Sequence, residues 1–142
     1  VPWTWNVPRE FGFERGEQFV STFAEHYQTY PSSSAASAYS IVYQWADAVE
    51  RSGSLESEGL IRALEGHSYQ LLKDTQTWRA FDHQNLQTVY AVRIKPRAEV
   101  MADPLRQDYF KIIGQLSAEE AAQTLEQWQA ERKAAGQPLR LR

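Results

Sequence analysis

The apolar residues of this chain change period once, near Gly66, and no other feature constrains the fold as strongly. Upstream, Phe19, Phe23, Tyr27 and Tyr30 recur at i, i+4, i+8 and i+11, with Val20 beside them. This one-sided stripe predicts a helix from about Glu17 to Thr29, which Pro31 stops. Tyr39, Val42, Tyr43, Ala46 and Val49 make a second stripe, and the helix carrying it runs to about Arg51 and ends at Gly53. The serines of "PSSSAAS" offer caps for its N-terminus. A shorter helix is expected from about Leu55 to Glu65, with Ser54 as N-cap, Leu60, Ile61 and Leu64 as its apolar face, and Gly66 as its stop. Downstream the pattern alternates. Thr77–Phe81 and Gln87–Lys95 read as strands, with Val89, Ala91 and Arg93 opposite Tyr90, Val92 and Ile94. Tyr109–Leu116 reads as a third. "SAEE" at Ser117–Glu120 has capping-box spacing ahead of a last helix expected to bury Ala121, Leu125 and Trp128, with a polar tail that frays. Residues 1–16, punctuated by Pro2, Pro8, Gly12 and Gly16, are expected to be irregular.

The order helix, helix, helix, strands, helix leaves an imbalance. Three amphipathic helices need a surface to cover, and about three strands are few to supply it. Length does not explain the shortage. At 142 residues the chain has the size of one domain, able to bury roughly 68–70% of its unfolded surface. Five Trp, seven Tyr and six Phe supply either a generous core or an aromatic surface for a partner.

Charge and composition exclude several classes. A net charge of −3 with interspersed signs argues against nucleic acid as a partner, since phosphate binding needs clustered Lys and Arg. No apolar run approaches the ~20 residues of a membrane span. The chain opens on VPWTWNVP, without the basic and apolar segments of a signal peptide and without an initiator Met, so it reads as processed or truncated. With no Cys, thiolate chemistry and disulfides are out, and no cofactor motif is present.

Three places invite a chemical reading. Asp82-His83-Gln84 unites acid, base and amide, and a metal site there would recruit Asp82 and His83 with His67 or His26. No ligand spacing supports a metal, and no nucleophile motif accompanies the tripeptide. Asp and Asn are turn formers, and Asp82–Asn85 lies between two strand-like runs, so a turn is the preferred reading. Trp3 and Trp5 suit either the wall of a ligand cleft or core packing. Ser32–Ser34 serve most simply as a cap, and the helix start there can also hold a carboxylate. No catalytic residue is assigned.

The motifs stand in a telling order: "FVSTFAEHY", "AASAYSIVYQWADAVERSGS", "LIRALEG", "WRAFDHQNLQTVYAVRI" and "DYFKIIGQLSAEEA". From about Phe19 to Ala122 this series resembles the C-terminal part of type I periplasmic binding proteins, specifically the branched-chain amino acid (leucine/isoleucine/valine-binding) group of ABC-transporter solute receptors. The DHQ segment carries the resemblance most strongly. It implies an α/β class: a helix-rich fragment of a two-lobed fold, with incomplete sheets. Residues 1–16 would be a hinge-proximal irregular segment, 17–86 first-lobe helices and strand, and 87–142 second-lobe strands and C-terminal helix. The implied function is non-enzymatic capture of an amino acid, amide or related carboxylate in the periplasm, for delivery to a membrane permease. Trp3 and Trp5 would wall the cleft, and Ser33, Ser34 and Ala35 would supply polar contact. Family members are much longer, so most ligand-gripping residues would lie outside this portion. Helices without their sheets would expose apolar patches and drive association into a homo-oligomer or with a complementary chain. The alternative is a stand-alone interaction or assembly domain that uses its aromatic face.

Overall fold

A computed structural model describes residues 1–141, so Arg142, the last residue of the expected second-lobe span, lies outside the described residues. The elements follow in the order α1 (Asn6–Phe11), α2 (Glu14–Tyr27), α3 (Ser33–Ser52), α4 (Ser57–Leu64), β1 (Ser68–Tyr69), β2 (Gln76–Trp78), β3 (Asn85–Leu86), β4 (Val89–Ile94), α5 (Arg97–Ala102), β5 (Phe110–Leu116) and α6 (Leu125–Ala134). The change of period falls where expected: four helices precede Gly66, and all five strands follow it.

The sheets are small and separate. β1, β2 and β3 form an antiparallel three-stranded sheet, and β4 and β5 an antiparallel pair running from Val89 opposite Leu116 to Ile94 opposite Phe110. The pair carries a bulge between Ala91 and Val92. Val1 pairs with β4, where its nitrogen donates to the Tyr90 carbonyl and Tyr90 N–H donates to the Val1 carbonyl, both at 2.7 Å.

Several expectations are corrected. Residues 1–16 are not irregular throughout, because α1 forms within them. Pro8 falls in its first turn, where a missing N–H costs nothing, and Gly12 ends it at φ 72°. Ser54 does not cap α4: its Oγ accepts from Glu56 N–H at 3.0 Å, and the helix begins later, at Ser57. The Ser117–Glu120 capping box does form, with Ser117 N–H on Glu120 Oε2 at 2.9 Å, but it closes an isolated turn. α6 starts instead behind Thr124, whose own box with Gln127 is complete. Ala121 and Leu125 are exposed, and only Trp128 is partly covered, edge-on to Phe81.

The face of α3 also differs from its predicted stripe. Its buried positions are Ala36, Gln44 and Ala48, while Val42 and Tyr43 are exposed. The helix turns a small-residue face inward, and its large apolar residues Ile41, Val42 and Trp45 stay in solvent. The core gathers Trp3, Trp5, Val7, Ala36, Leu71, Leu72 and Tyr90, with Phe19, Val20 and Tyr30 packed on its margin. Gly16 permits the close approach of α2 to the 71–73 segment, since a Cβ there would stand 2.2 Å from the Leu72 carbonyl oxygen.

Candidate functional site

Two concave surfaces flank α3. The smaller is a cavity of about 130 Å³ between the second and third turns of α3 and the β1–β3 sheet. Trp3, Ser37, Ser40, Lys73, Gln76 and Gln87 give it its chemistry. Its volume equals that of about four water molecules at ~30 Å³ each.

Lys73 is 2% exposed, and two carbonyls fix its ammonium: Nζ donates to Pro2 O at 2.7 Å and to Thr88 O at 2.9 Å. It also lies 5.3 Å from the centroid of the Tyr90 ring. Burial pushes its pKa down to about 8, and the Asp74 charge opposes that only in part. Gln76 Nε2 donates to Asn85 Oδ1 at 2.9 Å and to Gln87 Oε1 at 3.2 Å. Trp3, 5% exposed, has an indole N–H with no acceptor among the described residues. A buried donor left unmade costs about 1–3 kcal/mol.

No His, Asp or Glu lines the cavity. The Lys73 ammonium that shares the cavity with the two serines is held by the Pro2 and Thr88 carbonyls.

The structure separates the residues singled out in the sequence. Trp3 lines the cavity with the second and third turns of α3. Trp5 does not. It stacks on Tyr30, ring centroids 3.8 Å apart and planes 18° apart, within the core. The Tyr30 hydroxyl donates to Asp103 Oδ1 at 2.7 Å, and burial followed by that bond raises its pKa to about 12. Ser32 is the N-cap of α3, accepting from Ala35 N–H at 3.1 Å. Ser33 and Ser34 form the first turn, ahead of the cavity wall, and Ala35 lines the second concavity on the other side of the helix.

Asp82-His83-Gln84 forms a turn. Arg79 N–H donates to the Gln84 carbonyl at 2.9 Å, and His83 adopts φ 58°. His83 Nε2 lies 2.8 Å from Glu65 Oε1, and His67 Nε2 lies 3.2 Å from Asp47 Oδ2. Among the described residues no three His, Cys, Asp or Glu side chains are grouped to hold a metal.

Sequence reasoning missed Lys73, Gln76 and Gln87. The one signal was a lysine placed directly after two leucines in "YQLLKDTQTW".

A family described as periplasmic binding protein matches residues 1–99. The chain belongs to the periplasmic binding protein family. Solved structures agree on the fold. A periplasmic binding protein from Burkholderia mallei is 23% identical and superposes with TM-score 0.76, covering 89% of this chain and 31% of its own. A branched-chain amino acid ABC transporter periplasmic ligand-binding protein from Burkholderia xenovorans LB400 is 20% identical, with TM-score 0.75, covering 89% and 32%. An ABC-type branched-chain amino acid transporter from Rhodopseudomonas palustris CGA009 is 24% identical, with TM-score 0.65, covering 83% and 30%. No curated protein matches the chain.

The family chain described here thus spans about a third of the length of the solved structures it resembles. Its mixed helices and incomplete sheets are a portion of the type I fold, and the strand shortage follows from that. Among the described residues no helix is long and apolar enough to cross a membrane.

Proposed function

We propose that this chain is the C-terminal part of an extracytoplasmic solute receptor that serves an ABC-transporter permease and binds an amino acid, amide or related small carboxylate. The family match over residues 1–99 carries this reading. Two of the similar structures are described as branched-chain amino acid transport proteins. Binding makes and breaks no covalent bond, so the chain is not an enzyme.

In this reading residues 1–16 lie near the hinge, 17–86 belong to the first lobe and 87–142 to the second. Trp3 forms an apolar wall, and its unmet indole N–H meets an oxygen of the solute. Ser33 and Ser34 supply polar contact at the positive end of α3, while Ala35 faces the other groove. Trp5 acts behind the wall through its stack on Tyr30.

Thermal denaturation against a panel of amino acids, amides and short carboxylates tests the proposal. A bound solute raises the midpoint saturably, by RT ln(1 + [L]/Kd) in free energy. A midpoint unmoved by every member of the panel contradicts it.

A second reading, an assembly domain, is favoured by one observation. Ile41, Val42 and Trp45 on α3, Leu55 at 71% exposure and Ile94 at 73% leave apolar surface uncovered. Both readings lead to association, as a homo-oligomer or with a complementary chain. Only the assembly reading predicts it without any response to solutes.

A further inference from the structure

The second concavity is the larger, a groove of about 850 Å³ between α2 and α3. That volume lies within the ~300–1,000 Å³ typical of small-molecule sites. Rings form its apolar part: Phe19 and Tyr39 centroids are 4.7 Å apart, Phe23 and Tyr27 4.6 Å, and Tyr39 and Tyr43 4.7 Å.

The polar residues of the groove come from one line along α2: Arg15, Gln18, Thr22 and His26. No Asp or Glu lines it, although Glu14, Glu17 and Glu25 sit on the same helix. The Arg15 guanidinium carbon lies 4.8 Å from the centroid of the Tyr43 ring, and Arg15 forms no ion pair among the described residues. The Tyr43 hydroxyl has its pKa lowered, first by its bond with Tyr39 and then by Arg15. An aromatic cleft with a cation and no counter-charge is complementary to a flat, anionic molecule. A purely apolar partner helix would fill the rings and leave the guanidinium without an anion.

We propose that this groove binds a small aromatic carboxylate, its ring against the Phe19–Phe23–Tyr39 surface and its carboxylate on Arg15. The site is separate from the cavity at Trp3. α3 presents Ala35, Ala38 and Tyr39 to the groove, and Ala36, Ser37 and Ser40 to the cavity. It therefore stands on its own whatever solute the cavity takes.

Calorimetric titration of the 142-residue chain with 2-naphthoate tests it. The expected result is saturable one-to-one binding. Arg15→Gln, at an exposed position, weakens it about tenfold or more, as loss of a charge-assisted hydrogen bond requires. The neutral analogue 2-naphthalenemethanol is weakened similarly, and Thr22→Trp, which fills the groove, abolishes binding. Glu119→Gln, at an exposed position outside both concavities, leaves the affinity unchanged. Absence of saturable binding overturns the proposal, and so does equal affinity for Arg15→Gln or for the neutral analogue. Self-association that Thr22→Trp removes, without naphthoate binding, would assign the groove to a second copy of the chain and equally overturn it.

Discussion

Arg79 and Asp82 meet at two points, Nε to Oδ1 at 2.9 Å and Nη2 to Oδ2 at 2.5 Å, with side chains only 14% and 9% exposed. The same guanidinium donates to Gln84 Oε1 at 2.9 Å and to the Gln123 carbonyl at 2.6 Å. One arginine thus closes the turn between β2 and β3 and ties it to the segment ahead of α6. The acid of Asp82-His83-Gln84 is engaged in holding the chain.

The Arg79 hydrogen bond, as the main cause, lowers the pKa of the Asp82 carboxyl. A depressed carboxylate contributes stability that is complete above its unfolded value of ~3.9 and is lost as pH falls through its folded value. Asp82→Asn should therefore lose stability at pH 7 and show a flatter acid limb in urea denaturation. Arg79→Ala, which strands the carboxylate, should cost about 3 kcal/mol. His83→Ala should stay within about 1 kcal/mol, because it removes one exposed contact with Glu65.

Lys73 gives the same sign of pH dependence as Asp82, in an alkaline window. Its folded pKa, lowered to about 8 by burial, lies below the unfolded value near 10.5. Between those values the unfolded chain holds more protons, so this group makes stability rise with pH from about 8 to about 10.5. Lys73→Met should remove that rise. It should also destabilise the chain at pH 7 by about 2–3 kcal/mol, since the Pro2 and Thr88 carbonyls lose their charged donor. Urea midpoints of both chains across pH 7–10.5 check this.

The uncovered face of α3 predicts association. Sedimentation velocity should show a species that grows with concentration, and Trp45→Glu, at a position 53% exposed, should shift it toward monomer without loss of helicity. A folded monomer at every concentration would contradict the account of that face.

The legible parts of the sequence were those set by local spacing. The Phe19–Phe23–Tyr27 stripe marked α2 because i, i+4 neighbours must share a face. The period change marked the helix-to-strand boundary. Asp82–Gln84 read as a turn because its residue types favour one. What failed depended on distant partners. On α3 the large residues look like an inner face until Ala36, Gln44 and Ala48 are seen to allow the closer approach. Thr124 and Ser117 both carry box spacing, and only the chain path decides which one starts a helix. Trp3 and Trp5 are two residues apart, yet one lines the cavity and the other stacks on Tyr30. Lys73 reads as a surface charge until Pro2 and Thr88 close over it.

In the proposed function the wall formed by Trp3 and α3 takes a small solute. The buried Trp3 indole N–H has no acceptor among the described residues, so its proton resonance is sensitive to a change at this wall. In heteronuclear NMR titration with leucine, other amino acids, amides and short carboxylates, at least one compound should shift that resonance saturably, together with the amides of Ser33 to Ser37. If the Trp3 indole and these amides stay in place for every compound in the panel, the solute-binding account is contradicted.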